Sequence, residues 1–214
     1  MMNPFMASWA EKKIARTMAA LRRNRMGAYF VSSREGVPDK VRELLRDGDS
    51  VAYGGSVTLQ ECGVMGLLAG GRYRFLDRDA PGMSDAEREN LYRDVLFCDH
   101  FLMSANAVTE NGELYNVDGI GTRLSFLIYG PKQVIVVAGV NKIVPDLDAA
   151  AARVKDIAAP VNAMRLERKT PCVKCGRCED CSSPDRICCS TVISAYQRIP
   201  DRVQVILAGE PLGF

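Results

Sequence analysis

The sequence predicts a three-layer α/β fold: a parallel-rich sheet with helices on both faces, followed by a cysteine-rich C-terminal segment. Three observations predict it. Strand-like and helix-like patterns alternate from the N-terminus to Lys169, the order that builds βαβ units. The β-branched run at 134–138 reads as a strand buried on both faces. Glycine- and asparagine-rich segments follow three of the expected strands, where sheets of this kind bind ligands.

The elements follow in order. Ser8 and Glu11 form a capping box, and Ile14, Met18 and Leu21 continue a helical stripe to about Arg25. Arg22, Arg23 and Arg25 suit the negative end of that helix dipole. Gly27 stops the helix before a strand at 28–31. A helix is expected over 37–46, ended by Gly48, then a strand at 50–53 running into Gly54-Gly55-Ser56. A helix over 58–68 and a strand at 73–76 come next. Ser84 and Glu87 make a second capping box, opening a helix to about Leu96. The strand at 101–103 leads into Ser104-Ala105-Asn106. Asn111-Gly112, between apolar runs, signals a hairpin. A helix over 122–129 ends at Gly130-Pro131, the strand at 134–138 follows, and 146–158 is helical and alanine-rich. The last strand is expected at 202–207. Residues 1–169 then make the α/β domain. Residues 170–214 make the cysteine-rich segment, its final strand packing on the same domain.

The chain has 214 residues, 47% hydrophobic and 25% charged, ordinary values for a globular protein. A formal net charge of +2 gives no reason to expect nucleic acid or a membrane surface as partner. The N-terminal stretch lacks the apolar region of a secretory signal. No apolar run approaches the ~20 residues that span a bilayer. The expected location is therefore the cytoplasm. Six of the eight cysteines fall between Cys172 and Cys189, and in a reducing compartment such a cluster reads as a metal site. Cys62 and Cys98 lie within apolar patterns and read as core.

Gly54-Gly55-Ser56 sits between a strand and a helix, where backbone N–H groups meet anions. It is neither a dinucleotide fingerprint nor a Walker loop. Glu110, beside the Asn111-Gly112 turn, has the chemistry of a nucleophile or general base. Asn106, Asn116, Asp118 and Arg123 add polar groups to the same stretch, and Asn141 stands in Gly139-Val140-Asn141-Lys142 after the strongest strand. Gly54, Gly55, Ser56, Asn106, Glu110, Asn116, Asp118 and Asn141 are expected to converge on one cleft beyond the strand ends. The only histidine is His100, so histidine chemistry is set aside. The run Cys172-x-x-Cys175-x-x-Cys178 begins like a ferredoxin, but Cys181 comes one residue early with no proline after it. Four thiolates suit zinc or a [4Fe–4S] cluster; thiol–disulfide exchange is the rival.

These residues carry a resemblance. The stretch from Ser104-Ala-Asn-Ala-Val-Thr-Glu-Asn-Gly-Glu to Asp118-Gly-Ile-Gly-Thr-Arg123 resembles the signature of the LUD (lactate utilisation) domain family. Gly130-Pro-Lys through Lys142 and Gly54-Gly-Ser-Val-Thr-Leu59 fit the same family, and Thr170-Pro-Cys172 through Cys188 resembles its cysteine-bearing branch. The resemblance implies a fold like ribose-phosphate isomerase, glucosamine-phosphate deaminase and the CoA transferases. It also implies a link to oxidation of L-lactate to pyruvate in company with iron–sulfur partner proteins. In the cysteine-bearing branch the recurring thiols match Cys172, Cys178, Cys181 and Cys188, which makes Cys175 and Cys189 additions; Cys175 is the expected substitute ligand. Thr109-Glu110-Asn111-Gly112 is similar to the Ser-Glu-Asn-Gly of CoA transferases, whose glutamate is the nucleophile.

The leading expectation is therefore a redox-associated protein of organic-acid metabolism. It would bind a small organic acid or CoA-type ligand and carry a cysteine-ligated metal or iron–sulfur centre. A transferase or hydrolase using Glu110 on a CoA ester or phosphosugar is one alternative. A non-enzymatic assembly module for an iron–sulfur protein is another.

Overall fold

The computed structural model describes residues 3–214; Met1 and Met2, at the head of the stretch read for a secretory signal, lie outside the described residues. Helix α1 spans Pro4–Arg23. It begins before the expected Ser8 cap, because the Asn3 side chain accepts from the Phe5 N–H at 2.9 Å. Pro4 then fills a first-turn position that has no helical N–H partner to lose. Strand β1 (Gly27–Val31) follows, then α2 (Val37–Leu44), β2 (Ser50–Tyr53), α3 (Val57–Glu61) and α4 (Val64–Leu68). The single helix expected over 58–68 is thus two. Gly63 has φ +69°, a left-handed conformation that a glycine adopts without strain and a continuous helix excludes.

Strand β3 (Arg74–Leu76) leads to α5 (Asp85–Val95), which opens with the expected Ser84–Glu87 capping box. Then come β4 (His100–Met103), β5 (Ala107–Thr109), β6 (Leu114–Asp118), α6 (Thr122–Ile128) and β7 (Gln133–Gly139). Strand β8 is Ile143–Val144 and α7 is Leu147–Arg153. The helix expected to end near Ala158 instead passes through a π-helical turn, Val154–Ala158, into α8 (Ala159–Arg165). The last elements are α9 (Pro171–Cys175), β9 (Ser190–Ser194) and β10 (Val203–Ala208).

The main sheet has six strands in the order β1-β10-β7-β4-β2-β3, and every neighbouring pair is parallel. Helices cover both faces, giving the three layers expected. On one face Leu21 of α1, Val95 of α5 and Leu127 of α6 pack against Phe101, Val136 and Val205. On the other, Val41 of α2, Leu59 of α3 and Leu68 of α4 pack against Leu102, Ile135 and Ile206. Burial on both faces explains why Val134–Ala138 of β7 reads as a continuous apolar run. Each fully buried side chain such as Ile135 contributes about 1.5–3 kcal/mol.

Strand β10 lies between β1 and β7, so residues 203–208 complete the centre of the sheet. A second, four-stranded sheet runs β8-β5-β6-β9. Its antiparallel β5–β6 pair is the hairpin signalled by Asn111-Gly112. Gly112 has φ +81°, and a Cβ there would lie 2.5 Å from the Ala20 backbone. Glycine is therefore required by both the turn and its close approach to α1. Among the described residues no helix is long and apolar enough to cross a membrane.

Candidate functional site

The carboxyl ends of β2, β4 and β7 bring Gly54-Gly55-Ser56, Ser104-Ala105-Asn106 and the Asn141-Lys142 segment to one end of the sheet. There, Gly55, Ser56, Thr58, Ser104, Asn106 and Arg123 line a cavity of about 90 Å³ together with Lys142, Asn162, Arg165 and Phe214. It adjoins a groove of about 250 Å³ that shares Gly55, Arg123 and Arg165 and adds Arg78 and Arg168.

Lys142 is the unusual member. It is 3% exposed, and its ammonium donates to Thr58 Oγ1 and Ser104 Oγ, both at 3.0 Å. Both acceptors are neutral. Among the described residues no aspartate or glutamate side chain lines the cavity. Burial, with Arg153 and Arg123 nearby, pulls its pKa down to about 7. A buried ammonium without a carboxylate is disfavoured because desolvation penalises the charged form.

Arg123 holds the floor of the cavity. Its guanidinium donates to the Ser104 and Val117 carbonyls at 3.0 and 2.6 Å, and to the Asn116 and Asn106 side chains at 2.9 and 3.2 Å. Asp118 lies 3.5 Å from its Nε. Arg153 donates to the carbonyls of Asn141 and Asn106 at 3.1 and 2.6 Å, fixing the two backbone segments against each other.

The expected site residues separate into three groups. Gly55, Ser56 and Asn106 line the cavity. Gly54, Asn116, Asp118 and Asn141 support it instead. A Cβ on Gly54 would sit 3.2 Å from Arg123 Cδ, so glycine leaves room for that side chain. Asn116 is fully buried beneath Arg123. Asp118 belongs to the adjoining groove. The Asn141 side chain accepts from the Leu212 N–H at 3.0 Å and donates to the Gly213 carbonyl at 3.2 Å, which pins the last residues over the cavity.

Glu110 stands apart. It does not line the cavity; its carboxylate accepts from Arg16 of α1 at 2.7 and 3.1 Å. The hairpin packs on α1, and this carries Glu110 away from the strand ends. The expected convergence of all eight residues on one cleft therefore holds only for part of the set. Lys142, Arg153, Thr58 and Arg165 were not singled out. A lone charged residue closing the Gly139–Lys142 segment, four positions after the apolar 134–138 run, is the available signal for Lys142; Arg153 in an alanine-rich helix offers none. His100 pairs with Asp49 at 2.8 Å, away from the cavity lining.

The cysteine segment places Cys172, Cys178, Cys181 and Cys188 around a second, mostly apolar cavity of about 20 Å³, walled by Ala159, Ala163, Ile187 and Arg186. Cys175 and Cys189 lie outside it and are exposed. Arg186 donates to the carbonyls of Cys181 and Cys188 at 2.6 and 2.8 Å and approaches Cys188 Sγ at 3.5 Å. The Asp180 N–H donates to Cys178 Sγ at 3.4 Å. Burial pushes the Cys178 thiol up. Among the described residues, no group of three or more His, Cys, Asp or Glu is close enough to hold a metal ion. Cys62 and Cys98 are core residues, as expected, their thiols pushed up by burial to about 11 and about 12.

No curated protein sequence matches this chain. Among solved structures it is similar to a DUF162 family protein from Deinococcus radiodurans, with TM-score 0.53 and 13% identity over 93% of this chain and 98% of that one. It is also similar to the delta subunit of eIF2B from Chaetomium thermophilum, with TM-score 0.36 and 14% identity over 52% of this chain and 48% of that one. The first likeness shows the shared fold. The sequence profile of the LUD domain matches residues 14–208. The chain belongs to the LUD domain family.

Proposed function

We propose that this LUD-family domain binds a small organic acid of the lactate–pyruvate class in the cavity at the strand ends. The observation that carries the reading is Lys142, a buried amine held by two neutral hydroxyls with no acidic side chain, among the described residues, in the cavity lining. A bound carboxylate supplies a countercharge to the lining that Lys142, Arg123 and Arg165 form. Arg165 bonds only Asn162 among the described residues and keeps a donor for the same anion. A CoA-type ligand would have to extend into the arginine-lined groove beside the cavity. Calorimetric titration with L-lactate, pyruvate, inorganic phosphate and acetyl-CoA tests this. Carboxylate binding that is lost in Lys142→Met is expected. Equal binding by that variant, or binding of acetyl-CoA alone, would overturn it.

A second element of the reading is a zinc ion or [4Fe–4S] cluster held by Cys172, Cys178, Cys181 and Cys188, whose thiols would have to close in from the spacing they have here. Its support is the shared cavity of those four thiols. Arg186 would offset the charge of the thiolates, and a bound cation lowers thiol pKa enough to supply them. Zinc would serve as a structural cross-link, and a cluster would supply one-electron transfer. Ile187 and the two alanines of α8 form the apolar part of that cavity's wall. Ile187 also lines the groove beside the ligand cavity. Elemental and sulfide analysis of protein purified without oxygen tests the assignment. Metal lost in Cys178→Ser and Cys181→Ser but kept in Cys175→Ser is expected. A wild-type protein without metal would leave thiol–disulfide chemistry for the tail.

A further inference from the structure

Lys142 has a reactivity that an anion site alone does not require. A neutral amine has two N–H groups and one lone pair. Here Thr58 Oγ1 and Ser104 Oγ, each 3.0 Å away, accept two N–H bonds. The remaining tetrahedral position is the lone pair, and the amine lines the cavity. The charged groups bearing on it are Arg153 of α7 and Arg123 of α6, which disfavour its proton, and Glu61 of α3 and the Cys62 thiol, which favour it. Burial and the two arginines outweigh the others and leave a large neutral fraction near pH 7.

We propose that Lys142 Nζ is a nucleophile that condenses with the ketone carbon of a small 2-oxo acid bound in this cavity. This rests on the anion site proposed above. The Nζ lone pair adds to the carbonyl carbon, and the carbonyl π pair moves to oxygen. Nitrogen gives up a proton and the oxygen gains one, which yields a carbinolamine. Loss of its hydroxyl with a further proton, as water, forms the C=N bond. Amine plus ketone thus give imine plus water, with no oxidant or reductant required. The Thr58 and Ser104 hydroxyls lie within reach to relay those protons. The carboxylate selects the substrate class, because the lining is cationic and without an acidic side chain, while the size of the cavity limits the acid to a few carbons.

The test uses the full chain with pyruvate and sodium cyanoborohydride near pH 7.5, read by intact mass and peptide mapping. The expected product is one reduced adduct per chain on the peptide containing Lys142. Its trapping rate should exceed that of surface lysines by about a hundredfold or more, following the neutral fraction of each amine. L-Lactate, which has no ketone, should compete without forming an adduct. Lys142→Arg and Lys142→Met, checked for folding by circular dichroism, should lose the adduct. Adducts spread over surface lysines, or retained in both variants, would overturn the proposal. So would preferential trapping of a phosphate-bearing ketone such as dihydroxyacetone phosphate. Calorimetry on the same samples separates the two readings. Pyruvate that binds but is not trapped ends the imine proposal and leaves the anion site standing; pyruvate that neither binds nor is trapped ends both.

Discussion

The strand-end cavity and the cysteine segment are assembled in opposite ways. The cavity takes its residues from six separate stretches of chain, around positions 56, 105, 120, 142, 163 and 213, and its polar contacts reach across long sequence separations. Lys142 meets Thr58 across 84 residues and Ser104 across 38. The cysteine cavity draws its thiols from 17 consecutive residues, and Arg186 reaches its carbonyls within five. Its ion pairs, Lys155–Asp180, Arg168–Asp185 and Arg177–Glu179, are largely exposed and worth little. A site built by the sheet is rigid but scattered in sequence; a site built by a loop is legible in sequence but weakly held.

Removing Arg123 should break the comparison most severely, because one side chain ties four neighbours beneath the cavity. Arg123→Ala should destabilise the protein by about 3–5 kcal/mol in urea denaturation, since it leaves buried acceptors and Asp118 without their cation. Labelling of Cys181 and Cys188 by a thiol reagent should stay the same. A loss under 1 kcal/mol would mean that the cavity floor is held by other contacts.

Lys142→Met sharpens the comparison through pH. A lysine whose pKa is lower in the folded chain than in the unfolded one binds its proton more weakly in the native state. Stability linked to Lys142 therefore rises as pH climbs from about 7 towards the unfolded value near 10.4, and the full penalty applies below 7. Wild-type stability relative to Lys142→Met should rise by about 1.4 kcal/mol per pH unit across that window. Anion affinity should move the other way and fall above pH 7. A flat difference would show that the lysine is not desolvated as its burial requires.

Arg186→Ala addresses the loop side. It should lower the reactivity of Cys181 and Cys188 toward a thiol reagent, because a nearby guanidinium favours the thiolate, the reactive form, with anion binding at Lys142 unchanged. The smallest effect is expected for Glu110→Gln. Its partner Arg16 is 55% exposed, so the loss should be at most about 1 kcal/mol. Anion affinity should not change. A large drop in affinity would bring Glu110 back to the ligand site.

The sequence by itself determined the layer architecture and the six parallel strands. Short β-branched runs and helical stripes are local signals, and parallel strands buried on both faces have little freedom to read otherwise. It also determined the hairpin at Gly112 and the spacing of the thiols, which lie close together because they are close in sequence. Only the tertiary structure decided which polar residues meet. The order β1-β10-β7-β4-β2-β3 brings Lys142 beside Thr58 and Ser104, while the packing of the hairpin on α1 carries Glu110 off to Arg16. Neither outcome has a local signature. A side chain's partner across the sheet is set by strand order and register, and its ionisation by the burial that follows.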